Sequence, residues 1–237
     1  MRYLDLTFPH PAENLACDEA LLELCENGYD SEIIRFWEPQ DYFVVLGYSN
    51  KFKEEIIVDQ CQQLNIPIYR RISGGGTVLQ GPGCLNYSLI LKISDYLKNI
   101  TVTNAYIMSR HKKSLEPMVN QKISIHGHTD LTIGNLKFSG NSQKRKKQYL
   151  LFHGTFLLDF DIPLMDKILR IPPKQPAYRQ NRSHTEFLMN LNIPVEPIKQ
   201  TLLQTWKAHD RFQDTPRESI EYLVKSKYSN PDWNLKL

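Results

Sequence analysis

Cysteine is scarce in this chain, and what there is lies scattered. Cys17, Cys25, Cys61 and Cys84 form no Cys-x-x-Cys pair. Neither a zinc spacing nor a disulfide framework is implied, and a reducing, cytoplasmic setting is expected. Charge of one sign is also lacking: the 29 Lys+Arg against 26 Asp+Glu leave a net +3, too little to argue for a nucleic-acid partner. No apolar run approaches a membrane span, and the opening MRYLDLTFPHP has no signal core, so no membrane partner is expected either. Internal repeats are missing, and the one biased stretch is the basic run Lys144-Arg145-Lys146-Lys147. Its bland reading is a solvated loop; its rivals are a docking patch for an acidic protein and a nucleic-acid contact. The 237 residues suffice for one substantial core.

The familiar phosphate loops are absent as well. No Walker string occurs, and a dinucleotide fingerprint starting at Gly74 would need glycine where Leu79 stands. A serine-hydrolase elbow fails because Ser73 follows Arg71 and Ile72. What is present is a strand-like Ile66–Tyr69, then Arg70, Arg71, Ser73 and the triplet Gly74, Gly75, Gly76, closed by a second strand-like run, Tyr87–Leu91. Three successive glycines lose much backbone entropy on folding, which makes sense where the backbone needs φ > 0 or lies against a ligand. Their bare amides can cradle an anion, and arginines alongside supply planar permanent donors. The alternative is a glycine-rich hairpin with two solvated arginines.

The rest of the chain alternates. Residues 13–27 read as a helix on Ala16, Ala20 and Leu24, with Asp18 and Glu19 on a solvated polar face. Ile33–Trp37 and Tyr42–Leu46 read as strands, Lys53–Leu64 as a helix, and 103–119 as a helix ended by Pro117. Alternation at Leu131, Ile133, Leu136 and Phe138 around Gly134-Asn135 predicts a hairpin. On it, Lys137 faces away from Leu136 and Phe138: a solvent-facing charge, or a cation held over a site. His126 and His128 share one strand face and could share a metal, but no third ligand stands at motif spacing. Tyr149–Phe160 reads as a strand interrupted at His153-Gly154, and His153 alone reads as a core histidine. Residues 171–176 read as an extended Pro-rich connector, followed by helices at 198–209 and 218–228.

Three segments then converge on one family. RRISGGGTVLQGPGCLNYS (70–88), TDLTIGNLKFSGNSQ (129–143) and FHGTFLL (152–158) resemble the lipoate–protein ligases and their biotin-ligase relatives, as do NLACDEALL and FWEPQDYFVVLGYSN nearer the start. The resemblance covers about residues 1–160. It implies an α+β fold with a mixed, mostly antiparallel sheet flanked by helices, like a class II synthetase. The expected organisation is a single catalytic domain over 1–237, with 171–237 a mainly helical extension and no C-terminal accessory domain. It also implies two-step acyl transfer: ATP and Mg²⁺ convert lipoate or octanoate to acyl-AMP, and a lysine of an acidic acceptor domain takes the acyl group. That acceptor would be of the 2-oxoacid dehydrogenase E2 or glycine cleavage H protein type, and a separate accessory chain can be required. By the same resemblance Lys137 is the catalytic lysine. Arg70 serves the phosphate side, and Ser73, Gly74, Gly75, Gly76, Thr77, Val78, Asn86, Ser139, Gly140, His153, Gly154 and Thr155 bind the acyl-adenylate. Asp130 would help hold Mg²⁺. Asn141 departs from the serine of many ligases. The rival within the superfamily is an octanoyltransferase, which carries the acyl group on a cysteine. Residues 119–129 hold no cysteine and none follows Cys84, which favours the ligase, while Cys84 beside the glycine loop keeps the rival open.

Overall fold

A computed structural model describes residues 1–237. Its strands are β1 (Arg2–Asp5), β2 (Ile33–Trp37), β3 (Phe43–Leu46), β4 (Ile68–Arg70), β5 (Val78–Gln80), β6 (Cys84–Lys92), β7 (Ile123–His126), β8 (Asp130–Ile133), β9 (Leu136–Arg145), β10 (Tyr149–Leu157) and β11 (Asp210–Arg211). The helices are α1 (Pro11–Glu26), α2 (Phe52–Glu55), α3 (Val58–Gln63), α4 (Ile100–Val119), α5 (Ile162–Ile168), α6 (His184–Phe187), α7 (Val195–Trp206), α8 (Arg217–Leu223) and α9 (Pro231–Asn234). Eight strands form one sheet in the order β11-β1-β2-β6-β10-β9-β8-β7, and β4-β3-β5 form a second. Only β11/β1, β1/β2 and β3/β4 pair parallel; the other pairs are antiparallel. The expected mixed, mostly antiparallel α+β architecture is therefore what the chain adopts.

The large sheet is covered on both faces, which is why all of β2 and all of β6 but Lys92 are buried, the polar Arg35, Asn86 and Ser88 among them. One face packs α1 with Tyr149, Leu151 and the C-terminal Ile220 and Tyr228. The other packs α4 and α7 with Phe138, Phe152 and Phe156. A third cluster joins the small sheet to α3 and α5 through Val44, Leu79, Cys61 and Ile168.

Four local expectations need correction. Asp18 and Glu19 are not solvated: they are 3% and 8% exposed. The C-terminal segment covers α1, so Glu19 accepts from Tyr228 Oη at 2.7 Å and pairs with Lys227 at 2.7 Å. The helix expected over 53–64 breaks at Ile56-Ile57, where Ile56 bridges Leu169 and the Ile57 N–H donates to Ile168 O at 2.8 Å. Pro117 does not end its helix. Its missing N–H and ring fall in the last turn, and α4 runs on to Val119 before Asn120 closes it at φ +48°. The basic run is not a free patch. Arg145 donates to the carbonyls of Leu97 and Lys98, Lys146 pairs with Glu23, and the Lys147 N–H donates to Glu26.

Candidate active site

A cavity of about 870 Å³ opens between the glycine loop, β9, β10 and the 170–179 segment. The tight turn at Gly134 (φ +56°) sets the β8–β9 register. A bulge between Leu131 and Thr132 then lets the pair Lys137–Phe138 re-aim. Phe138 enters the core at 0% exposed, while Leu136 stays at the surface. Lys137 folds over Gly140: a Cβ there would meet its Nζ at 2.7 Å and its Cε at 2.9 Å, so any larger residue would push the end of the lysine aside. Its Nζ sits 2.8 Å from Asp130 Oδ1, and Asp130 Oδ2 accepts from Tyr178 Oη at 2.7 Å. Burial, then Asp130, pushes the Tyr178 hydroxyl well above its usual value, so it remains a donor.

The glycine loop is held from behind. Arg71 donates through Nε to Ser73 Oγ (3.0 Å), through Nη1 to Val45 O (3.2 Å), and through Nη2 to Gly74 O (2.5 Å) and Gly76 O (2.8 Å). Ser142 Oγ donates to Gly74 O at 2.8 Å. Gly75 sits at φ +87°, a conformation glycine adopts without strain. With the carbonyls turned inward, the amides of Gly74, Gly75 and Gly76 donate to no backbone or side-chain acceptor. That leaves them available as an anion cradle. Burial lowers the Arg71 guanidinium to about 10, against the raising influence of Glu55, so it stays charged at neutral pH.

A buried polar chain underlies this loop. Ser73 Oγ lies 2.6 Å from His153 Nε2, and His153 Nδ1 lies 3.3 Å from Asp18 Oδ2. Asp18 also pairs with Arg35 at 2.6 Å and accepts from Ser88 Oγ at 2.6 Å. Burial pushes the Asp18 carboxyl up, but Arg35, His153 and Ser88 outweigh it and hold it below its usual value. An ionised Asp18 accepts from Nδ1–H and leaves Nε2 to accept from the Ser73 hydroxyl. The order resembles a hydrolase triad, yet Ser73 is 0% exposed and does not line the cavity. Its oxygen already accepts from Arg71, so the chain fixes the loop rather than arming a nucleophile.

Of the residues singled out in the sequence, Lys137, Gly75, Gly76, Thr77, Val78, Asn86, Asp130, Ser139, Gly140, His153, Gly154 and Thr155 all line the cavity. Asn86, Gln80 and Thr155 hydrogen-bond one another there, with Asn86 Nδ2 donating to Gln80 at 2.9 Å and Thr155 Oγ1 to Asn86 at 2.5 Å. The Thr77 amide is taken by Glu55 at 3.1 Å. Gly74 and Ser73 shape the wall from behind. Arg70 belongs elsewhere: it is 0% exposed and donates to the carbonyls of Gly47, Tyr48, Asn50, Trp233 and Asn234. The expected phosphate-side arginine is thus a fastener of the chain behind the site, and its neighbour Arg71 takes the inward place. Strand alternation sends adjacent side chains to opposite faces. Three carboxylates line the cavity, Asp18 held by Arg35, Glu55 held by the Thr77 amide, and Asp130 held by Lys137 and Tyr178, and no group of three His, Cys, Asp or Glu is arranged to hold an ion. His126 instead stacks on Tyr178 at 4.7 Å. None of the four cysteines lines the cavity, and burial pushes the Cys84 thiol up to about 12.

Sequence reasoning missed Arg71 as the inward residue, Asp18 as the base of the polar chain, and the entire 170–179 wall. Its Pro172, Pro176, Tyr178 and Arg179 line the cavity. Only the prolines there gave a signal, and they pointed to an extended connector.

Fold and site together define an α+β domain built around one cavity, lined by an ammonium and by the side-chain-free backbone of Gly75 and Gly76. The description "Lipoyl protein ligase A/B catalytic domain" matches residues 10–207, and the chain belongs to that family. It is 28% identical to the octanoyltransferase LipM of Clostridioides difficile (strain 630), across 95% of this chain and 94% of that protein. It is 26% identical to lipoate-protein ligase A subunit 1 of Thermoplasma acidophilum, across 94% and 92%. Its fold matches a crystal structure of lipoate-protein ligase A bound with ATP at TM-score 0.86, with 24% identity over 99% of this chain and 98% of that one. It also matches the bipartite lipoate protein ligase of T. acidophilum, described with its E2 lipoyl domain, at TM-score 0.84, with 23% identity over 99% and 95%. No helix is long and apolar enough to cross a membrane.

Proposed function

We propose that this chain is an ATP-dependent lipoate–protein ligase. The observation that carries the reading is the composition of the cavity wall: the Lys137 ammonium and the side-chain-free backbone of Gly75 and Gly76 line the same space, and no cysteine does. A carboxylate oxygen of lipoate or octanoate attacks the α-phosphorus of ATP; the bond from that phosphorus to the bridging oxygen breaks and pyrophosphate leaves. The amine of an acceptor lysine then attacks the acyl carbonyl, the mixed-anhydride bond breaks, AMP leaves, and the amine's surplus proton is released. Lys137 exchanges Asp130 for the oxygens on which charge develops, and the Gly75 and Gly76 amides meet that charge from the loop. Asp130 is the carboxylate that would hold Mg²⁺, which supplies further neutralisation at the phosphates. The acceptor is a lipoyl domain of the E2 or H-protein type, and an accessory chain remains compatible with this site.

The competing reading is an acyltransferase working from a pre-activated donor, favoured by the 28% identity to an octanoyltransferase. Purified protein incubated with lipoate and ATP, and in parallel with an octanoyl thioester as pre-activated donor, followed by mass spectrometry, separates the two. Lipoyl-AMP and then a lipoylated acceptor are expected; an acyl thioester on Cys84, with no adenylate, would displace the ligase reading.

A further inference from the structure

We infer that Arg179 is a phosphoryl-binding residue of this site. The inference rests on the ligase reading for the identity of the phosphate, but on its own geometry for the presence of an anion. Arg179 lines the cavity and is only 5% exposed. Its guanidinium lies on the Phe187 ring, 4.8 Å from the centroid, which fixes the plane. Of its nitrogens only Nε makes a hydrogen bond, to Arg182 O at 3.1 Å, and Nη2 is buried with no partner.

The neighbours show why this is unusual. Arg182 packs against Phe187 as well, yet its nitrogens donate to the carbonyls of Arg179, Glu186, Asn135 and Tyr178. The carboxylates close enough to act on Arg179 are Asp166 and Asp130, and both are engaged elsewhere. Asp166 accepts from the amides and side chains of His184 and Thr185, and Asp130 accepts from Lys137 and Tyr178. A buried guanidinium with an unused fork and no hydrogen-bonded counter-ion is a poor ending for a fold and a good receptor for a multiply charged anion that offers two oxygens to its N–H groups. Tyr178, the residue before it, already touches the Asp130–Lys137 pair. An anion bridging from Lys137 toward Arg179 therefore stays inside one cavity. The phosphates of a nucleoside triphosphate meet that description; so does the phosphate of a coenzyme-A-like acyl carrier.

The test is titration calorimetry on the full chain with inorganic pyrophosphate, ATP and coenzyme A as separate probes, and lipoic acid as control. Wild type is compared with Arg179→Gln and Arg179→Lys. Arg179→Gln should weaken pyrophosphate and ATP about tenfold or more, while Arg179→Lys, which keeps the charge and loses the fork, should weaken them less. Lipoic acid affinity and Tm should barely move. Equal pyrophosphate affinity in wild type and Arg179→Gln overturns the inference, and so does a parallel loss of lipoic acid binding and Tm, which would mark a purely structural arginine. Dependence seen with coenzyme A alone overturns the nucleotide assignment. Arg179-dependent pyrophosphate binding by a protein that makes no lipoyl-AMP upholds the inference and overturns the ligase reading. Lipoyl-AMP formed with the same KM for ATP in wild type and Arg179→Gln does the reverse.

Discussion

On the glycine-loop side of the cavity, side chains serve the backbone: Arg71 and Ser142 pin carbonyls and leave amides free, while the Ser73–His153–Asp18 chain holds the Ser73 side chain. On the opposite side, side chains serve one another: Lys137 rests on Asp130, Tyr178 caps Asp130, and Arg179 has an unused fork. The first wall is pre-organised and can receive charge without moving. The second can exchange an internal partner for a substrate oxygen. A site needs both kinds, because fixed dipoles lower the reorganisation cost of catalysis while exchangeable ion pairs keep charges satisfied when no substrate is bound.

The contrast is broken most severely at Lys137. Lys137→Ala should lower lipoyl-AMP formation on the order of 10²–10³-fold, as loss of one charge-stabilising donor does, with an unchanged Tm; full activity in a pyrophosphate-release assay would remove the exchangeable wall from the mechanism. Next in size is the fastening behind the fixed wall. Arg70→Met strands the carbonyls of Gly47, Tyr48, Asn50, Trp233 and Asn234 and should cost about 3 kcal/mol in urea unfolding. The KM for lipoate should hold, since Arg70 does not line the cavity.

A pH series sharpens the same comparison away from the site. His111 is 0% exposed, accepts from Trp206 Nε1 at 2.9 Å, and burial depresses its pKa from 6.5 to about 3. The folded protein keeps it neutral while the unfolded chain protonates below 6.5. Stability is therefore complete above 6.5 and falls as pH drops toward 3, by about 1.4 kcal/mol per pH unit. His111→Gln should flatten that part of the profile in denaturant midpoints. The smallest effect is expected at Cys84: with its thiol held near 12 and off the cavity wall, Cys84→Ala should cost about 1 kcal/mol of stability and leave ATP-dependent lipoylation at wild-type rate.

How much of this was legible beforehand varied with the range of the interaction. The β8–β9 hairpin followed from Gly134-Asn135 and the alternation around it, because turn chemistry and strand period are local. Lys137, the glycine loop and His153-Gly154 could be picked out as motifs and do line or shape one cavity. Asp18 could not: a carboxylate in mid-helix reads as solvated until β2, β6 and β10 are known to bring Arg35, Ser88 and His153 against it. Arg70 and Arg71 could not be told apart either, since their faces depend on where residues 233–234 return.

By itself the sequence determined strands such as β2 and β3 and the β8–β9 hairpin, and it singled out Lys137 and the glycine loop as motifs, since propensity, periodicity and glycine conformation act within a few residues. Only the tertiary structure decided which arginine faces the cavity, what neutralises Asp18 and Lys137, and that the segment carrying Arg179 closes the far wall. Those outcomes depend on burial and on charge pairing between residues far apart in the chain, and neither leaves a periodic trace in the order of amino acids.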